Sequence, residues 1–277
     1  MTFLFDTFGQ TNRQPLVLLH GFGSHRHIWQ PLVPKLIDHF NLYLVDLPGY
    51  GDNESFDSST LDLLCEPLVN YLPTNAIWLG WSLGGLAALH IALTSPQQTA
   101  GCITIASSPH FLASKTWPGL DREKFFDFCE GVEKFPAKTL QQFQLLQVHG
   151  DKEHKALLQW LLAMHIELPP KKTLQQGLNL LKETDFRHKL HRLSTPYLSI
   201  LGANDQIVPV AVSSALLKLA PQAHSTIIPN ASHLPFLSSP TMIADQIKHF
   251  AQTTGILSIV FLTNHFVNLI QLTYFVL

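Results

Sequence analysis

Six short apolar runs, bounded by glycine, proline and aspartate, punctuate the chain: Leu16–Leu19, Asn41–Val45, Ala76–Leu79, Gly101–Ile105, Tyr197–Leu201 and Ser225–Ile228. Both pleat faces of these runs are apolar, which is what parallel strands require when helices cover the two sides of their sheet. They predict central strands. Between them lie helical stretches such as Leu86–Thr94, where Ala87, Ala88 and Ala92 permit close packing on a sheet. The alternation predicts an α/β fold, a mostly parallel central sheet flanked by helices.

From about His110 to Arg192 the pattern changes. Strand-like runs vanish, and apolar residues recur at helical spacing, as in Phe125, Phe128, Val132 and then Leu140, Phe143, Leu146. Pro136 and the Pro169–Pro170 pair divide this region into several helices, because proline cannot continue a helix interior. Residues 121–192 hold 12 of the 18 lysines and arginines against 10 of the 20 acidic residues, so this stretch is net positive in a chain that is net negative. The expected organisation is a core of residues 1–109 and 193–250, an inserted helical cap over 110–192, and an atypical apolar tail over 251–277.

That tail carries no charged residue from His249 to Leu277. As a helix, Ile256–Leu277 would be about 33 Å long, close to the thickness of a bilayer core. Asn264, Asn268 and Gln271, with His265 beside them, would run a polar stripe along it, and no basic residue flanks either end. A helix docked on the body, a dimer contact or a partly disordered tail is therefore favoured over membrane contact through 256–277.

Composition narrows the class. With 277 residues, 46% hydrophobic and 14% charged, and a mean hydropathy of +0.14, the chain is long enough to bury a large core and too apolar for disorder. A net charge of −2 gives no field that would select nucleic acid. Cys65, Cys102 and Cys129 are odd in number, far apart and without metal spacing, which reads as reduced thiols in the cytoplasm. Met1–Gln10 has no basic segment and carries Asp6, unlike a secretory signal.

The most informative segment is Ala76–Ala88, an apolar strand followed by Gly80-Trp81-Ser82-Leu83-Gly84 and then a helix. A serine offered for attack must sit on a very tight strand-to-helix turn, and glycines two residues to either side remove the Cβ atoms that would collide there. Serine is a weak nucleophile alone, so the arrangement demands a base and an oriented acid, expected in the order acid then histidine after later strands. Asp205 follows the run Tyr197–Leu201, and His233 follows Ser225–Ile228. The position of Asp205 fits the orienting acid, and the lesser alternative is a loop aspartate capping the helix that starts near Pro209. Two backbone donors should receive the oxyanion: the N–H of Leu83, after the serine, and that of Phe22 in His20-Gly21-Phe22-Gly23. His20 and Asp46 read as braces of their loops. No P-loop, dinucleotide fingerprint, HExxH or ligand-spaced histidine set occurs, so no cofactor and no metal is expected.

The segments LVLLHGFG, LYLVDLPGYG, AIWLGWSLGG, GANDQIVP and NASHLPF together resemble the α/β-hydrolase superfamily. More narrowly, Ile77–Gly85, Ile105-Ala-Ser-Ser-Pro109 and Trp117-Pro-Gly119 resemble the family of pimeloyl-acyl-carrier-protein methyl ester carboxylesterases of biotin synthesis, over roughly residues 15–250. The resemblance implies Ser82 as nucleophile, Asp205 as acid, His233 as base, and Phe22 and Leu83 as oxyanion donors. It further implies an acyl-carrier protein as partner, small esters as additional substrates, and an apolar channel to which Trp81, Phe111, Phe128 and Phe143 would contribute. Lys138 and Lys155 match two of the family's basic carrier-binding places. Gln142 and Gln159 stand where arginine is typical, and Phe22 where tryptophan is frequent. The alternatives are a general short-chain carboxylesterase, a carbon–carbon bond hydrolase of the same fold, and a ligand-binding protein without turnover.

Overall fold

A computed structural model describes residues 2–164 and 167–257. Among these, strands β1 (Phe5–Phe8), β2 (Gln14–Leu19), β3 (Phe40–Val45), β4 (Ala76–Trp81), β5 (Thr99–Ile105), β6 (Tyr197–Gly202) and β7 (His224–Ile228) form a single sheet. Its order is β1-β3-β2-β4-β5-β6-β7. β1 pairs antiparallel with β3, and all the other neighbours are parallel. Each of the six apolar runs lies inside one of the parallel strands, but the last, Ser225–Ile228, is not central: β7 is an edge strand, with His224 and Ile227 exposed. β2, β4 and β6 are almost entirely buried, as their unbroken apolar character requires. β1 was not anticipated from sequence. As a half-buried edge strand it has no apolar run to announce it.

Helices α1 (Val33–Leu36), α2 (Leu61–Tyr71) and α3 (Leu83–Thr94) lie in the first half of the chain. The Thr60 hydroxyl caps α2 by accepting the Leu63 N–H at 3.2 Å. α3 is apolar on nearly every side and packs on β4 and β5, so Ala87, Ala88 and Ala92 are fully buried. Its small residues bring the helix axis close to the strands, and the serine at its start is thereby held on the core.

Between β5 and β6 run α4 (Arg122–Lys134), α5 (Pro136–Val148), α6 (His154–Ala163) and α7 (Lys171–Glu183). Asp121 caps α4 through a 3.0 Å bond from the Lys124 N–H. α5 opens on Pro136, and α7 begins directly after Pro170, so both proline sites act as helix starts. The break between α5 and α6 follows no proline: the chain leaves the helix at His149, which is extended with ψ 131°, and Gly150 at φ +84° then turns it toward α6. Helices α8 (Val212–Leu219), α9 (Pro235–Ser238) and α10 (Pro240–Thr253) complete the body. Ile256 and Leu257 pack against the core beyond α10. Nearly all of Ile256–Leu277 lies outside the described residues, and no helix among the described residues is long and apolar enough to cross a membrane.

Cys65 and Cys102 are buried and Cys129 is half-buried, all as free thiols. Burial pushes each of the three thiols up from its ordinary value.

Candidate active site

From β2 the chain turns to β3 on one side, then crosses to β4 on the other, so the loops after β2 and β4 flank the crevice where strand order reverses. Such a crevice at the carboxyl ends of parallel strands is where α/β folds gather reactive groups. Ser82 sits in the turn from β4 to α3 with φ 55° and ψ −114°, a conformation costing a non-glycine residue of the order of 1–3 kcal/mol. The turn is held in that shape by its neighbours. A Cβ on Gly80 would stand 2.0 Å from the Gly84 carbonyl oxygen, and one on Gly84 would stand 2.4 Å from the Leu19 carbonyl oxygen. The Ser82 N–H donates to the Ile105 carbonyl at 3.0 Å, and the Ser107 hydroxyl donates to the Ser82 carbonyl at 2.7 Å. Ser107 belongs to the Ala106-Ser-Ser-Pro109 segment, and its bracing contact was not foreseen from sequence.

Asp205 and His233 come from loops after β6 and β7 and meet in the interior. Asp205 Oδ2 lies 2.8 Å from His233 Nδ1, with both side chains fully buried. Oδ1 accepts the N–H groups of Ile207 and Val208 at 2.8 and 3.0 Å, so the loop-capping role and the histidine contact coexist on one carboxylate. α8 starts at Val212, three residues beyond Pro209, so the capped structure is a turn and not the helix. A carboxylate only accepts, so Nδ1 carries the proton and Nε2 presents its lone pair. Nε2 is buried and has no hydrogen-bond partner among the described residues. The His233 backbone is held on both sides: its N–H donates to the Gln147 carbonyl at 3.1 Å, and its carbonyl accepts the Trp81 indole N–H at 2.9 Å.

The loop that carries Phe22 is built around His20. Its Nδ1–H donates to the Gly21 carbonyl at 2.8 Å, and its Nε2 accepts the Leu47 N–H at 3.0 Å, which fixes the start of the loop bearing Phe22. A Cβ on Gly21 would meet the Trp81 ring at 2.7 Å, and Gly23 takes φ +66°. The Phe22 and Leu83 N–H groups donate to no carbonyl or side chain among the described residues, which leaves both free for an incoming anion. Asp46 accepts from Arg26, whose guanidinium also reaches Asp6 at 2.9 Å and Asp52 at 2.6 Å. These are braces.

Burial lowers the His20 pKa from its ordinary 6.5, and burial likewise takes His25 down to about 4. The neutral forms are therefore the native ones, whereas the unfolded chain takes up protons below about 6.5. Stability is complete above that pH and is lost as pH falls through it. The slope for His20 alone approaches about 1.4 kcal/mol per pH unit. The urea midpoint should drop between pH 7 and pH 5, and His20→Gln should flatten that drop. An equal drop in the variant would remove His20 from the account.

A cavity of about 210 Å³ reaches Phe22 and Trp81, the sequence neighbours of Gly21 and Ser82, while Ser82, Leu83 and His233 do not line it. Phe22, Gly23, Ile28 and Trp81 wall it from the sheet side, while Leu140, Phe143, Gln144 and Gln147 of α5 and Leu161 of α6 wall it from above. Trp81 and Phe143 thus border it. Phe111 and Phe128 do not: Phe111 is buried in the core, and Phe128 stacks behind the wall on Phe22 and Phe143, at 5.9 and 4.9 Å. Aromatics at helical spacing here serve the packing of the insertion. Lys138 on α5 and Lys155 on α6 are exposed, and neither enters an ion pair among the described residues. Lys134, in contrast, pairs with Glu130. Among the described residues no cluster of three or more metal-binding side chains occurs.

Residues 16–246 match the model of the alpha/beta hydrolase family. The chain is 37% identical over 253 residues to a pimeloyl-[acyl-carrier protein] methyl ester esterase of Pectobacterium carotovorum, covering 91% of this chain and 99% of that one. A protein of the same name from Edwardsiella ictaluri is 39% identical, with 86% of this chain and 93% of the relative covered. Among solved structures, the enol-lactonase of Burkholderia xenovorans superposes with a TM-score of 0.78 at 17% identity, covering 89% of this chain and 95% of that one. An esterase of Exiguobacterium antarcticum does so with a TM-score of 0.78 at 18% identity, covering 90% and 95%.

Proposed function

The chain belongs to the alpha/beta hydrolase family, and from that premise we propose that it is a serine carboxylesterase that hydrolyses the methyl ester of pimeloyl-acyl-carrier protein in biotin synthesis. The observation that carries this reading is the buried His233–Asp205 pair, whose Nε2 has no partner among the described residues and whose loop is bonded to Trp81, next in sequence to the strained Ser82, in a chain 36–39% identical to esterases of that name.

In this reading His233 Nε2 takes the Ser82 proton as Oγ attacks the ester carbonyl. The tetrahedral oxyanion is received by the Phe22 and Leu83 N–H groups. Its collapse breaks the bond to methoxide, which leaves as methanol with the proton from His233. Water then attacks the acyl-serine with His233 again as base, and Ser82 is released with the free carboxylic acid. Asp205 holds the imidazole tautomer and balances the imidazolium formed at each step.

The acyl chain lies in the cavity bordered by Trp81 and Phe143, under residues 110–192 acting as a cap. The carrier stays outside, held by Lys138 and Lys155. Because the carrier joins its acyl group through a thioester that is itself hydrolysable, selectivity for the methyl ester is geometric: the chain's far end reaches Ser82 while the thioester remains at the mouth. Gln142 and Gln159 carry no charge, so the two lysines take most of the attraction for an acidic partner. The cytoplasm is the site of this reaction, in keeping with the three free thiols.

Carrier-linked pimeloyl methyl ester is the substrate to assay, alongside rescue of a biotin-requiring strain that lacks its own esterase. Release of methanol with rescue is expected. Turnover of small free esters with neither result would return the reading to a general short-chain carboxylesterase. Lys138→Glu combined with Lys155→Glu should raise KM for the carrier-linked ester about 10-fold, a change of about 1.4 kcal/mol in binding. KM for a small free ester should not move. Equal KM changes for both substrates would remove the lysines from carrier binding.

A further inference from the structure

The turn between α5 and α6 is fastened to the loops that carry the acid and the base. The Ser232 N–H donates to Asp151 Oδ2 at 2.9 Å, and the Ser232 hydroxyl donates to the Gln147 carbonyl at 2.7 Å. The His233 N–H reaches the same Gln147 carbonyl at 3.1 Å. Lys152 N–H donates to the Asn230 carbonyl at 3.1 Å, and Asn204 Nδ2 donates to the Gly150 carbonyl at 2.8 Å. Asp151 is the buried member of this set, 3% exposed, and its other oxygen accepts the Glu153 N–H at 2.9 Å. Among the described residues no cation pairs with it.

We propose that Asp151 is a positioning residue for the esterase reaction, holding the His233 loop through Ser232 so that the imidazole is aligned only while the helical insertion is seated. The proposal rests on the reading of His233 as the base. Burying a carboxylate is costly unless its lone pairs are used, and here each oxygen takes a backbone N–H, one in its own turn and one in the base loop. An aspartate needed only to start α6 would spend both oxygens locally. The bond to Ser232 instead joins segments 81 residues apart. With the Ser232 N–H fixed by Asp151 and the His233 carbonyl fixed by Trp81, the backbone on either side of the imidazole is pinned, once from the insertion and once from the β4 end. Asp151, which does not line the cavity, therefore acts on the reaction without touching substrate. Lys155 stands one helical turn beyond them, so a partner held there rests on the same element that aligns the base.

The test uses the full-length protein and p-nitrophenyl butyrate. Asp151→Ala should lose about 10- to 100-fold in kcat while KM stays within about 2-fold, as expected for a displaced but intact catalytic group. Asp151→Asn keeps one oxygen for the Ser232 N–H and should lose only about 3-fold, restoring most of the rate. Ile247→Val, on the buried side of α10, is the comparison for lowered stability alone and should keep its kcat. Wild-type kcat in folded Asp151→Ala, or a loss that Ile247→Val reproduces, overturns the proposal. If Asp151→Ala does not fold, Asp151→Ser, whose shorter side chain has no second oxygen to span both N–H groups, takes its place, and wild-type kcat there overturns the proposal equally. A His233→Ala variant that retains turnover would instead remove the base assignment on which the proposal rests, and that outcome is separate from an inactive His233→Ala beside an unimpaired Asp151→Ala.

Discussion

Ser82→Ala should lower kcat/KM by about 10⁴-fold or more while leaving the protein folded. The size follows from the division of labour at the site. Without Oγ there is no acyl intermediate, and what remains is binding beside two oriented amides, worth far less than the covalent route. The fold should tolerate the change because the hydroxyl adds little to packing, and the φ 55° backbone is imposed by the Ile105 and Ser107 contacts and by the glycines around it. Thermal midpoint and turnover, measured on the same preparation, check both halves. A fluorophosphonate that labels wild type but not Ser82→Ala would identify the nucleophile directly. His233→Ala should fall as far as the serine variant, and the double variant little further, since the two act as one unit. Additive losses would mean that the two residues work separately.

Gly80→Ala should have the largest effect on the protein as a whole. Its Cβ would lie 2.0 Å from the Gly84 carbonyl oxygen, 2.2 Å from the Gly84 carbonyl carbon and 2.5 Å from the Gly85 nitrogen. All three are backbone atoms at the start of α3, and α3 is buried along most of its length, so none can yield without moving the helix off the sheet. Overpacking of this kind costs about 3 kcal/mol or more, which for a chain of this size lowers the melting temperature by roughly 6–12 °C or prevents accumulation. Gly101→Ala gives the contrast: its Cβ meets side chains and no backbone, the far end of Ile256 at 2.9 Å, which can rotate away, and the edge of the Phe250 ring at 3.2 Å, so its loss should be the smaller. Similar melting temperatures for the two variants would show that the strand-to-helix turn is looser than its geometry implies.

The inner strands were legible because burial on both faces writes itself as an unbroken apolar run, whereas β7 lies at the edge with His224 and Ile227 exposed. β1 left no such trace, since one antiparallel edge strand needs only a few half-buried positions, here Phe5, Asp6 and Phe8. The prolines marked the starts of α5 and α7, but the α5–α6 break depended on the extended His149 and the positive φ of Gly150, which neither residue announces. Ser82, Asp205 and His233 could be found because each follows a strand with its own local signature. Gln147, Asp151 and Ser232 could not. Their contacts exist only after an insertion of helices has folded back over the core, and nothing in either segment names the other. The aromatics divided in the same way: Phe128 and Phe143 share a helical rhythm, yet only Phe143 reaches the cavity, because Phe128 points at Phe22 from behind it.

The state of the three thiols bears on endurance. Peroxides and alkylating agents attack the thiolate, and burial keeps Cys65 and Cys102 protonated and shielded and raises the half-buried Cys129, while the nucleophile proposed here, Ser82, is an alcohol that such agents leave alone. Under an oxidative burst this protein should go on turning over at a rate that a cysteine-based hydrolase could not sustain.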